Sequence, residues 1–203
     1  MKWLYAMPIV RGGLLRLGDL LFRLRYRSML GQGVRVYGWP LIRAVPGSTI
    51  TVGDRAVLIS DAEFAAWGLN HPCHIRTVAS RACIQIGDDV GMSGVTITCA
   101  ERVEIGNRVM LGANVSITDT DSHPVDVVPR RYEKRGTGVS AVHIEDDVFI
   151  GAGAIVLKGV TIGAGSVIGS GSVVTASVPA AVVCAGNPAR VVRALQQSLE
   201  PPV

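Results

Sequence analysis

A chain of 203 residues is long enough for one domain, which buries about two thirds of the surface its unfolded form exposes. Hydrophobic residues at 48% against charged residues at 18% exclude a disordered chain, and aromatics at only 5% beside 24 glycines require an aliphatic core broken by tight turns. The net charge of +4 is modest and its basic residues cluster near the N-terminus and in two later patches, which gives nucleic-acid binding little support.

In chain order, Trp3 to Val10 is apolar, but Arg11, Arg16, Asp19, Arg23, Arg25 and Arg27 interrupt the residues after it. No run reaches the roughly 20 apolar residues of a membrane span. No secretory leader is read either, so the expectation is a cytoplasmic chain starting at Met1. From Gly13 to Leu30 the spacing is helical, with Leu14, Leu17, Leu21 and Leu24 on one stripe and Arg16, Asp19, Arg23 and Arg27 opposite. This N-terminal segment, residues 1–33, either caps the end of the adjoining fold or rests on the anionic inner face of a membrane. Cys73, Cys83, Cys99 and Cys184 form no CxxC pair, which fits buried reduced thiols.

From Ile144 onward aliphatic residues recur every six positions, at Ile144, Ile150, Val156, Ile162, Ile168 and Val174. Compact residues stand four places after the first five: Val148, Ala154, Val160, Ser166 and Ser172. Neither a helix nor an alternating strand gives this register. The same phrase runs earlier through Val52, Leu58, Ile86, Met92, Ile105, Leu111 and Ile117. Three six-residue strands make a coil, and stacked coils bury the inner face that one coil cannot. The spacing therefore predicts an all-β solenoid, a parallel β-helix over residues 34–185. Its register breaks at a loop, 118–142, containing Thr118-Asp119-Thr120-Asp121-Ser122-His123-Pro124 and then Arg130, Arg131, Lys134 and Arg135. A long excursion from a regular scaffold is the natural place for a site.

The hexads, the Asp-x-Asp-x-His-Pro phrase and the closing Ala185-Gly186-Asn187-Pro188-Ala189-Arg190 resemble the hexapeptide-repeat acyltransferases, in their galactoside, maltose and polysaccharide O-acetyltransferase branch. The resemblance covers about residues 50–195. It implies a left-handed β-helix, a homotrimer with active sites between subunits, acetyl-CoA as co-substrate, no metal, and a short C-terminal helix within 186–203. It also implies that His123 is the catalytic base, which suits an imidazole removing a proton from a sugar hydroxyl as that oxygen attacks a thioester. The backbone amide of Ala152 would face the oxyanion. Ala152, Ser170 and Thr175 would line the pantetheine arm, and Arg190 and Arg193 would approach the phosphates, with Lys158 either a further contact or a solvated turn residue.

On the acceptor side the chain departs from the resembled sugar enzymes, carrying Ser93 in Gly91-Met92-Ser93-Gly94 where they carry an Asn. Ser93 can make one hydrogen bond but not the two-ended contact of an amide. This phrase is similar to polysaccharide-type members that modify glycans or lipid-linked sugars. Asp119 and Asp121 either orient the imidazole and acceptor or only shape the turn. Asn70, His71 and Trp67 are candidate sugar contacts, with a core or capping role as the other reading of Trp67. The alternatives are an N-acetyltransferase acting on an amino sugar, a metalloenzyme like the γ-class carbonic anhydrases, and a solenoid without catalysis. His71, His74, His123 and His143 lack the ligand spacing of the zinc enzymes.

Overall fold

The computed structural model describes residues 20–126, 130–132 and 136–195. The hexads become short strands that wind as a left-handed parallel β-helix with three flat sheets. Sheet I holds β1 (Arg35–Tyr37), β4 (Val57–Ile59), β7 (Gly91–Ser93), β10 (Met110–Leu111), β13 (Phe149–Ile150), β16 (Val167–Ile168), β18 (Val182–Gly186) and β19 (Ala189–Ala194). Sheet II holds β2 (Leu41–Arg43), β5 (His74–Thr77), β8 (Thr96–Cys99), β11 (Ser116–Thr118), β14 (Ile155–Val156) and β17 (Val173–Val174). Sheet III holds β3 (Thr49–Val52), β6 (Cys83–Ile86), β9 (Arg102–Ile105), β12 (Val142–Ile144) and β15 (Thr161–Ile162).

The register explains the six-residue rhythm. His143, Phe149 and Ile155 pair with Thr161, Val167 and Val173, a difference of 18 positions, so successive hexads visit sheets III, I and II in turn. Ile144, Ile150, Val156, Ile162, Ile168 and Val174 all point inward and are buried. Stacking places identical faces about 4.8 Å apart, so aliphatic side chains form continuous ladders such as Leu58–Met92–Leu111–Ile150–Ile168.

At the corner between sheets III and I the turns are tied by a polar ladder. Gln32 N–H donates to Asp54 Oδ1 at 2.7 Å, Asp54 N–H to Asp88 at 2.8 Å, Asp88 N–H to Asn107 at 2.9 Å and Asn107 N–H to Asp146 at 2.8 Å. The residue after each of Asp54, Asp88, Asn107 and Asp146 takes a left-handed φ, from 57° to 61° at Arg55, Asp89, Arg108 and Asp147. These side-chain acceptors satisfy turn amides that no strand can reach.

The two ends differ from the sequence expectation. Helix α1 (20–26) covers the first coil through Phe22, fully buried, and Tyr26, with Phe22 also edge-on to Trp39. Leu21 and Leu24, expected to form the covering stripe, are instead 50% and 59% exposed, because one aromatic fills the prism mouth better than a row of leucines. Leu14 and Leu17 lie outside the described residues. The expected C-terminal helix is absent through Ala194: β19 turns back antiparallel on β18 and closes sheet I, and residues 196–203 lie outside the described part. An antiparallel strand covers the open edge of sheet I, which a helix would leave unpaired. The buried Ser166 and Ser172 hydroxyls accept from the Val182 and Gly186 amides and so anchor this hairpin. Among the described residues, no helix is long and apolar enough to cross a membrane.

Candidate active site

Two excursions leave the prism. The loop between β11 and β12 projects from the corner of sheets II and III and carries His123. A second, between β4 and β5, leaves the corner of sheets I and II and carries Trp67, Asn70 and His71.

The base of the His123 loop is closed from both sides. Asp121 N–H donates to the Gly138 carbonyl at 2.9 Å, Ser140 N–H to the Asp119 carbonyl at 2.9 Å, and Thr120 bridges Val139 in antiparallel fashion. Lys158, from the next coil, donates to Asp121 Oδ1 at 2.8 Å, and Gly159 N–H donates to the Ser140 carbonyl at 2.9 Å. Lys158 is thus tied to the loop through Asp121, with its side chain still partly exposed at the corner of sheets II and III. Asp121 is engaged by the same pair. Arg130 donates to the Pro124 carbonyl at 2.8 Å and folds the far arm back beside His123, whose side chain is exposed in the single chain. Lys134 and Arg135 lie outside the described residues.

Asp119 is fully buried and faces away from any acceptor. Its oxygens accept from the Ala100, Glu101 and Arg102 amides at 2.7, 2.7 and 2.8 Å and from the Cys99 thiol at 3.3 Å. Burial, with this carboxylate beside it, pushes the Cys99 thiol up to about 12, so the sulfur stays protonated and donates. Asp119 therefore shapes the turn, and the reading of it as an acceptor contact is corrected.

The corner of sheets I and II gathers the other candidates. Ser93 ends β7, Ala152 follows β13 and Ser170 follows β16, with the coil of β10 between the first two, along a row formed by Gly112, Gly151 and Gly169. The glycines are required by clearance. A Cβ at Gly112 would stand 2.7 Å from the Ala152 nitrogen, and one at Gly151 would stand 2.6 Å from the Ser170 nitrogen. Asn114 ties the second excursion to this corner, accepting from Asn70 N–H at 2.8 Å and donating to the Gly68 carbonyl at 2.9 Å. Nothing in the sequence pattern singled out Asn114. Trp67 is 66% exposed on this loop, so the core reading fails.

Arg190 and Arg193 stand on β19 opposite Ala185 and Val183, two outward positions of β18. A shift in register between Val183 and Cys184 places residues three apart on the same face. Arg190 thereby sits at the end of the glycine row. Thr175 lies elsewhere, after β17 at the corner of sheets II and III, together with Lys158. In one chain the predicted residues therefore form two half-sites separated by the width of sheet II. Among the described residues, no group of three or more His, Cys, Asp or Glu could hold a metal ion.

A family model described as bacterial transferase hexapeptide (six repeats) matches residues 141–176. Residues 141–176 therefore resemble a hexapeptide repeat of that family. Over 95 residues the chain is 50% identical to the galactoside O-acetyltransferase of Lactococcus lactis subsp. lactis, covering 46% of this chain and 44% of that one. Over 54 residues it is 48% identical to the 2,3,4,5-tetrahydropyridine-2,6-dicarboxylate N-acetyltransferase of Staphylococcus aureus, covering 27% and 23%. It thus spans less than half the length of these relatives. Among solved structures it is similar to the hexapeptide-repeat-containing acetyltransferase VCA0836 of Vibrio cholerae, with a TM-score of 0.56, 24% identity and coverage of 97% and 99%. A variant of AntD, an N-acyltransferase of Bacillus cereus in complex with dTDP and coenzyme A, gives a TM-score of 0.61 at 14% identity, covering 86% and 89%. These structural likenesses concern the fold.

Proposed function

We propose that the protein is an acetyl-CoA-dependent O-acetyltransferase acting on a saccharide hydroxyl, with His123 as general base. The observation that carries this reading is the glycine row, a side-chain-free line of backbone beside the Ala152 and Ser170 amides that ends at Arg190. A thin pantetheine arm fits a furrow floored by backbone, and a phosphate-rich head suits the arginines. The acetyl-group relatives support the same chemistry.

His123 removes the hydroxyl proton as the sugar oxygen attacks the thioester carbonyl. The Ala152 N–H donates to the oxyanion, a directed donor that brings no net charge. Collapse of the tetrahedral intermediate breaks the carbon–sulfur bond, and the imidazolium returns the proton to the departing thiolate. Because the two half-sites occupy different corners, the reading requires two chains, with His123 of one meeting the glycine row of another in a homotrimer. Sheets I and II favour such packing through exposed Met110, Phe149, Leu41 and Ile155, whereas the outer face of sheet III is polar.

The test is release of coenzyme A thiol with maltose, galactosides and glucosamine as acceptors. His123→Ala is expected to lower turnover at least about 100-fold while coenzyme A binding persists. Full activity in that variant removes the assigned base, and a wild-type chain that fails to bind coenzyme A removes the enzyme. Acetylation of glucosamine alone, at nitrogen, would place the protein among the N-acetyltransferases instead. The proposal extends to a membrane-borne acceptor, since Leu20, Leu21 and Leu24 are exposed on α1 beside Arg25 and Arg27. Salt-sensitive sedimentation with anionic vesicles, lost in Leu21→Ser/Leu24→Ser, checks it.

A further inference from the structure

The outer face of sheet III carries a groove of about 620 Å³ that the acetyl-transfer site does not use. Its wall is one column in strict register, Thr51, Gln85, Glu104, His143 and Thr161, one residue from each of five successive coils. Its floor is backbone at Gly87 and Gly106. We propose that this groove is a subsite for a linear, neutral oligosaccharide, and that the acceptor is a glycan chain in preference to a single sugar. This rests on the reading of the protein as a saccharide acetyltransferase and deepens it.

Three observations carry the inference. First, the column alternates hydrogen-bonding character: Thr51, Gln85 and Thr161 each carry a donor and an acceptor, and Glu104 between them only accepts, a mixture that sugar hydroxyls can use. Second, its centre is pre-ordered. Glu104 accepts from Arg102 at 2.7 Å and lies 2.7 Å from His143 Nδ1, so neither side chain has to be immobilised when a ligand arrives. Arg102, ahead of His143, holds the Glu104 carboxyl below its usual range and offsets its charge, and the second carboxylate of the groove, Glu145, is occupied by the Ala164 N–H at 2.8 Å. Third, the steps repeat about every 4.8 Å, so a linear chain lying along the column meets a side chain from each coil in turn. Position links the groove to the reaction: the His123 loop re-enters the prism through Ser140 and Ala141, immediately before β12 and His143. A chain bound along sheet III therefore runs past the root of the loop that holds the base.

The experiment titrates the full-length protein, without acetyl-CoA, with maltohexaose, cellohexaose and chitohexaose and with the matching disaccharides. At least one hexasaccharide is expected to bind about tenfold more tightly than its disaccharide, and Gln85→Ala and His143→Gln are each expected to bring that ratio towards one. Turnover on the same pair is read in parallel as a ratio of kcat/KM. A wild type that acetylates disaccharides but binds no hexasaccharide more tightly overturns the groove alone. A length preference that survives both substitutions overturns it as well. Hexasaccharide binding that responds to both variants, in a protein that acetylates nothing, upholds the groove and sinks the acetyl-transfer reading.

Discussion

At Asp119, three backbone N–H groups and one thiol converge on a single buried carboxylate. Charge-assisted bonds of this kind are short and directional, and an amide in the same place would aim its own N–H at donors. Asp119→Asn is therefore expected to cost ~3 kcal/mol, read from urea unfolding, although the residue touches no substrate. Asp121 acts on the neighbouring turn through Lys158. Asp121→Asn or Lys158→Met should lower kcat on the order of tenfold by loosening the geometry of His123, while coenzyme A affinity stays near wild type. Because both side chains serve one contact, the double variant is expected to be no worse than either single one. A double variant with the product of the two losses would show that they act separately.

Among the elements, the turn ladder between sheets III and I is where pH acts on stability. Asp146 is held below the ordinary aspartate value of 3.8 first by the Asn107 amide, and Asp147 and Asp89 are held down first by Arg108 and Arg55. A carboxylate with a depressed folded pKa contributes stability above its unfolded value and loses it as pH falls through the folded one. The urea midpoint is accordingly expected to stay level from neutral pH down to the ordinary aspartate value and to decline below it, with a shallower decline in Asp147→Asn. These carboxylates are exposed, so the slope will be small and will weaken with salt. The loop stem and the β18–β19 hairpin are the other decisive elements, since one presents His123, the proposed base, and the other turns both arginines to one face.

For the whole molecule, the separation of the half-sites predicts complementation between chains. A chain with His123→Ala keeps its glycine row and arginines, and a chain with Arg190→Ala keeps its base. Co-assembled at equal amounts, the two are expected to recover roughly a quarter of wild-type sites, the share in which an intact base meets an intact arginine by random assortment. Mixed particles with no more activity than the separate variants would place each site within one chain.

The range of the forces involved sets how much was legible. The hexad is a local repetition, and burial of every sixth residue leaves few ways to fold it, so the prism, its inward ladder and the projecting His123 loop could be read directly from residue types. Asp119 could not, because its partners Ala100 to Arg102 lie a coil away and an exposed and a buried aspartate look alike in the chain. The ends misled for a related reason. Leu21 and Leu24 have helical spacing, but only packing decided that Phe22 would fill the prism mouth, and only the bare edge of sheet I turned Ala189–Ala194 into a strand. Which corner each candidate occupies depends on the coil count after two insertions, so the tertiary structure alone separated His123 from Ala152. Local periodicity determined the scaffold, while the contacts between coils decided the geometry of the site.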